Sequence, residues 1–396
     1  MLETVDVKPE LIRWAIERSG LPFDELAERF AKLAEWRTGE RKPTFKQLED
    51  FAKRTMTPFG YLFLDEPPAE KLEIPDFRTK DDRAPTRPSP NLIDTLHDMQ
   101  RRQQWMREYL IEQGQEPLPF IGQIKGPTPV KSAAERMRET LGLDEDWAEH
   151  CDNWEIAVGR LREAIERIGI LVSITAVVGL NNTRKLDPDE FRGFVLIDDY
   201  APLIFVNGAD SKSAQMFTLA HELAHVWIGK AGLFNLVKTL PANDRGERFC
   251  NEVAAEFLVP AKKFAARWAE ARAAGDPFRF LSRVFKVSPV VAARRALDLH
   301  LISEDQFFAF YRKDQAVWQE RKAEEKERKR GPSFYVVQDV RLGRRFAFAV
   351  YQAVREGRLL YGDAYRLTDL KGDTFNRYAD FLLQRVKDEW LSGSAR

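Results

Sequence analysis

Cysteine is scarce in this chain. Only Cys151 and Cys250 occur among 396 residues, which excludes a disulfide framework and fits a reducing, cytoplasmic location. Long apolar runs are missing as well. No stretch approaches the roughly 18 consecutive apolar residues of a membrane span, so no membrane partner is expected. The opening "MLETVDVKPELIRW" lacks a basic region followed by an apolar core, which excludes a secretory signal of the usual form. Nor is there an excess of either charge: 62 basic and 62 acidic side chains sum to zero. Such a chain exerts no general pull on nucleic acid, and any DNA contact must rest on a local patch. Histidine is rare too, with five copies. Two of them stand four residues apart in "FTLAHELAHVWIGK", residues 217–230.

What is present suffices for several domains, because the length exceeds that of one typical domain. A 44% share of hydrophobic residues can fill substantial cores. "PELIRWAIERSG" predicts a helix with Leu11, Ile12, Ala15 and Ile16 on one face, stopped at Gly20. "PFDELAERF" predicts a second helix, and "AKLAEWRTGERKPT" a third, ended by Gly39 and Pro43. "FKQLEDFAKRT" predicts a fourth, capped by Thr44. Four short helices within residues 1–64, with a tight turn after the first, form the helix-turn-helix pattern. "RSGLPFDELAERF" followed by "WRTGERKPTFKQLEDFA" resembles the XRE (lambda-repressor-like) family, which implies a DNA-binding module. Lys32, Arg37, Arg41 and Lys42 are the side chains it would offer to a duplex. Glu28, Glu35 and Glu40 sit among them, and residues 1–60 hold 11 basic against 11 acidic side chains. A helical module that docks protein is therefore the competing reading.

Residues 65–131 read as a proline-rich connector, "DEPPAEKLEIPDFRTKDDRAPTRPSP", and an amphipathic helix closed at Gly114. Residues 132–318 combine helices with the strands "ILVSITAV" and "FRGFVLIDDYAPLIFVN", the latter two strands joined at 198–201. A long helix follows, starting near Ser211 or Ser213. "QERKAEEKERKRG", 319–331, carries both signs of charge and reads as a solvated linker. Residues 332–396 read as a separate small helical domain. Helices, a small sheet and then a helix bearing H-E-x-x-H (residues 221–225) follow the usual plan of zinc peptidases, so the expected class is α+β and mostly helical: a helix-turn-helix module, a zincin-like metallopeptidase domain with a small sheet, and a helical C-terminal domain.

On a helix, His221 and His225 lie one turn apart on the same face, so both imidazoles can reach one Zn²⁺. Glu222, about 100° further round, is misplaced for a third ligand of that kind but able to contact a water held by the ion. The spacing divides the labour: the histidines hold metal and the glutamate takes the proton. A catalytic zinc needs a third protein ligand and one open position. The next predicted helix, "ERFCNEVAAEFLVP", offers Glu247, Glu252 and Glu256. Glu247 shares a face with Cys250, Asn251 and Ala254, the small and polar residues suited to a crowded site, and is the choice. Glu256 points to the opposite side and comes second. Cys250 reads as a small buried hydrophobe.

"FTLAHELAH" followed by "ERFCNEVAAEFLVP" resembles the ImmA/IrrE family of metallopeptidases over about residues 157–260, and "IPDFRT" in the connector extends the likeness. The resemblance implies Zn²⁺ held by His221, His225 and Glu247, with Glu222 as the base. It also implies a regulatory protein substrate, such as a DNA-binding repressor or a toxin–antitoxin partner. The strand "PLIFVN" is expected at a sheet edge, where it would align an extended peptide by strand addition, with Asn207 as a rim contact. His300 and Tyr200 are weak candidates to stabilise an oxyanion. Two readings follow: a site-specific zinc endopeptidase acting on a regulatory protein, or a transcriptional regulator or antitoxin-like binding protein whose zinc site is not proteolytic.

Overall fold

The computed structural model describes residues 4–70, 88–230, 232–234, 245–324 and 333–393. Most of the proline-rich connector, residues 235–244 and the charged run at 325–332 lie outside the described residues. Contacts divide the chain into two compact units, one up to His97 and one from Asp98 onward. Among the described residues no helix is long and apolar enough to cross a membrane.

The first unit contains α1 (Pro9–Ser19), α2 (Phe23–Arg29), α3 (Leu33–Thr38) and α4 (Phe45–Arg54). Gly20 takes a left-handed conformation (φ 65°) that ends α1, a backbone state glycine adopts without strain. Thr44 caps α4 in a reciprocal box with Gln47, satisfying two otherwise orphaned N–H groups. Leu11, Leu26, Leu33, Leu48 and Phe51 meet in one buried core. Each helix thus contributes a leucine or phenylalanine at helical spacing, as the sequence pattern requires.

Helix α5 (Pro90–Glu112) leads into the second unit. There follow α6 (Val130–Leu141), α7 (Trp154–Arg167), β1 (Leu171–Thr175), β2 (Gly193–Leu196), β3 (Leu203–Asn207), α8 (Lys212–Ile228), β4 (Gly232–Phe234) and α9 (Arg245–Leu258). Then come α10 (Ala261–Ala273), α11 (Pro277–Phe285), α12 (Pro289–Asp298) and α13 (Glu304–Glu324). The chain closes with α14 (Phe334–Leu342), α15 (Arg344–Arg355), α16 (Tyr361–Thr368) and α17 (Gly372–Gly393).

The strands form one mixed sheet in the order β1-β3-β2-β4. β3 runs parallel to β1 and antiparallel to β2, pairing Ile204 with Val172 on one side and Val195 on the other. The edge position expected for "PLIFVN" is therefore wrong: β3 is interior. Its residues are all buried, and the unbroken apolar run Leu203–Val206 is the signature of a strand covered on both faces, not of an alternating edge.

The C-terminal helices belong by their contacts to the same unit as the sheet. Asp339 of α14 is 1% exposed and accepts from Arg344 Nε at 2.9 Å and Arg385 at 3.1 Å, with Arg162 of α7 at 3.5 Å. Ser173 of β1 donates to the Arg341 carbonyl at 2.6 Å. These charged side chains of α7, α14, α15 and α17 form a buried contact around Asp339.

Candidate metal centre

Helix α8 is built to be held from every side. Ser211 caps its first turn by accepting from the Ala214 N–H, and Gln215 donates to the carbonyls of Gly208 and Asp210 at 3.2 and 2.8 Å, anchoring the helix to the exit of β3. Gly229 (φ 74°) stops it and closes back onto the His225 carbonyl. Leu219, Ala220, Leu223, Ala224 and Val226 are fully buried. A helix packed on all faces cannot rotate without opening cavities, so the direction of His221 and His225 is set by the core. Helix α9 packs alongside, and Arg138 of α6 donates to the Glu256 and Phe257 carbonyls at its C-terminal end (2.9 and 3.1 Å).

The two helices bring His221, His225 and Glu247 together, with ligand atoms all within 4.8 Å of one another. His221 Nε2 lies 3.3 Å from Glu247 Oε2, His225 Nε2 lies 3.1 Å from Oε1, and the two Nε2 atoms are 3.1 Å apart. A tetrahedral ion bound at about 2.0–2.1 Å sets its ligand atoms roughly 3.3 Å apart. The Nε2–Nε2 distance and the distance from each imidazole to its own carboxylate oxygen are close to that spacing, so the donor set fits zinc. Its protonation fits as well. Burial pushes His221 down to about 4, against the pull of Glu247. Burial would raise Glu247, but hydrogen bonds from both imidazoles outweigh it and bring the carboxyl to about 2. At neutral pH the cluster presents a neutral His221 imidazole and one carboxylate, so neither group sets a positive charge against a dication.

Glu222 is fully buried, and its two carboxyl oxygens have no hydrogen-bond partner among the described residues. Burial first, and then the charge of Glu247, push its pKa well above the ordinary carboxylate value. A buried, unpaired carboxyl is costly, and such groups concentrate where chemistry uses them. Gly193 of β2 makes the room. A Cβ there would lie 2.5 Å from Thr218 Cγ2, 2.8 Å from the Phe205 carbonyl and 3.3 Å from Glu222 Oε1. Sequence reading passed over Gly193, although a lone glycine inside a strand pattern signals close backbone approach.

The remaining candidates fall elsewhere. Glu256 is ion-paired with Arg295 of α12 and also faces the Ala261 N–H, so it is engaged away from the cluster. Cys250 is buried in the core. Asn207 is no rim contact: it is 0% exposed, donates to the Phe191 carbonyl at 3.1 Å and accepts from the Ala209 N–H at 3.0 Å, so its amide shapes the turn after β3. Tyr200 is half-buried beneath the Arg107 guanidinium. His300 borders a cleft of about 1270 Å³ that also exposes Phe217, Thr218, Arg248 and Asn251 beside the cluster. In the first unit, Arg41 pairs with Glu35 at 3.5 Å, Lys42 with Asp6 at 3.1 Å, and the Arg37 guanidinium sits over the Phe23 ring. Lys32 is half-buried at the start of α3.

Residues 165–297, from the end of α7 to α12, match the family model of the IrrE N-terminal-like domain, Peptidase_M78. Residues 342–381 match a domain of unknown function, DUF8813. No curated protein matches the chain.

Proposed function

We propose that this protein is a zinc-dependent endopeptidase that cuts a regulatory protein. The observation that carries the reading is the convergence of His221, His225 and Glu247 beside a buried carboxyl, Glu222, that has no hydrogen-bond partner among the described residues. The match of residues 165–297 to a peptidase family supports it.

His221, His225 and Glu247 would hold the ion, which when bound supplies Lewis acidity to a water and to the scissile carbonyl. The charge of that ion would favour an ionised Glu222, opposing the burial that now disfavours it. Glu222 then takes the proton from the attacking water and returns it to the departing nitrogen, so the carboxyl ends the cycle as it began. The cleft beside α8 and α9 would receive the substrate as an extended segment. Strand β3 cannot align it, since both its edges are occupied.

The choice of target, a DNA-binding repressor or a toxin–antitoxin partner, rests on the resemblance of the chain to the ImmA/IrrE family. The four helices of the first unit would then act as the docking module, on protein or on DNA.

Glu222→Gln tests the reading. The variant should retain about one zinc per chain while losing cleavage of an unfolded protein substrate by roughly 10²–10⁴-fold, followed as new N-termini by mass spectrometry. Undiminished cleavage by the variant would overturn the peptidase assignment, and full complementation by it in cells would favour the binding-protein reading.

A further inference from the structure

From Gln215 to Trp227 every residue of α8 is buried except Phe217. Phe217 lies one turn before His221, on the same face. Side chains tilt toward the N-terminus of a helix, so the His221 ring leans back over it, with ring centroids 6.5 Å apart and planes 28° from parallel. Phe217 also lines the cleft of about 1270 Å³ beside the cluster. Val291 and Leu297 of α12, with Leu299 and Ile302 just after it, line the same cleft, and all four are half-buried. Apolar surface left wet inside a cleft gains when an apolar group covers it. The charged side chains there offer less. Arg294 is paired with Asp298, Arg295 with Glu256 and Arg192 with Asp210. Arg248 and Glu252, exposed one turn apart on α9, are of opposite sign and favour neither.

We propose that Phe217 is a specificity-determining residue: with the apolar wall from α12 it takes up a bulky apolar side chain of the substrate, within two residues of the bond that is cut. The proposal rests on the peptidase reading above. An extended peptide advances about 3.3 Å per residue. A ring 6.5 Å from the His221 imidazole is therefore reached by the first or second side chain beside the scissile carbonyl. Bulky apolar residues lie mostly in the core of a folded protein, so the segment that fits this cleft is one that has come free of its own fold.

The test uses the zinc-loaded full chain and a peptide mixture made by digesting a whole proteome. Cut sites are read as new N-termini by mass spectrometry, with Glu222→Gln as the blank. The wild type should cut where leucine, isoleucine, methionine or phenylalanine stands at one fixed position within two residues of the bond. Synthetic peptides that carry leucine or alanine at that position should differ in kcat/KM by at least about 10-fold. Phe217→Ala should keep about one zinc per chain and lose most of that ratio, whereas a general loosening of the fold would slow both peptides alike. If Phe217→Ala does not fold, Phe217→Leu decides: a changed order of preference among the large apolar residues supports the role, and an unchanged order overturns it. An unchanged ratio in a folded Phe217→Ala overturns it too. Glu222-dependent cleavage without apolar preference would remove this subsite and leave the peptidase standing. No Glu222-dependent cleavage of any peptide would overturn the peptidase reading and this proposal with it.

Discussion

Gly193 lies against Glu222: a side chain at the former would come within 3.3 Å of the carboxyl oxygen of the latter. The strand can pass this close to α8 only because it carries no Cβ there. Sheet and helix are thus in register at the one place where the proposed base is held. Gly193→Ala should therefore do two things. Overpacking of this kind costs about 1–3 kcal/mol, lowering the thermal midpoint, and the displaced Glu222 should lose cleavage more than the site loses zinc. Calorimetry, zinc content and rate, measured on the same preparation, check this. A variant with a normal midpoint and normal rate would show that the strand yields without cost.

Removing metal should loosen the unit that contains α8 and α9. A ligand that binds only the folded state adds about 2.7 kcal/mol at a free concentration one hundred times its Kd. Chelation should lower the melting temperature of the second unit, and added zinc should restore it. A melting temperature indifferent to chelator and zinc would mean that the cluster does not bind the ion.

A buried carboxyl outside the proposed metal cluster gives a pH signature of its own. Glu166, 7% exposed near the C-terminal end of α7, has its pKa raised from 4.5 to about 7. Burial is the main cause and the charge of Asp339 adds to it, while Arg162 opposes. Because the folded value exceeds the unfolded one, the stabilisation is complete below about pH 4.5 and is lost as pH rises through 7. Between pH 5 and 8 the wild type should lose up to about 3 kcal/mol from this group. In Glu166→Gln the slope should flatten, as measured by urea unfolding at a series of pH values. An equal slope in both proteins would show that Glu166 does not titrate in that range.

The first unit makes an electrostatic prediction. Its sequence is charge-balanced over residues 1–60, and Arg41 and Lys42 already face Glu35 and Asp6. We expect no measurable binding to a random 30-base-pair duplex near physiological salt, where phosphate contacts dominate non-specific affinity. Fluorescence anisotropy across a salt series measures it. Tight binding whose logarithm falls steeply with log salt would return the module to DNA recognition.

The legibility of this protein follows the range of the interactions involved. The pairing of His221 with His225 and the offset of Glu222 are consequences of helical periodicity, which acts within four residues, so the string itself was enough. The four helices of the first unit were readable for the same reason, through Gly20, Gly39 and the Thr44 cap. The proposed third ligand was harder. Periodicity puts Glu247 and Glu256 on opposite sides of one helix, but which side faces α8 is set by packing, and Arg295, arriving from α12, engages Glu256.

What the amino-acid sequence determined alone was local: which segments coil, which side chains share a face, and which residue types could grip an ion and move a proton. The tertiary structure decided what is non-local. Placing β3 between β1 and β2 buried Asn207 and removed it from any substrate path. Packing α14 on β1 turned the charges around Asp339 inward. Laying α9 along α8 set Glu247 beside His221 and His225. Strand order and helix docking depend on contacts between distant parts of the chain, whose balance of desolvation, packing and chain entropy no short window of sequence contains.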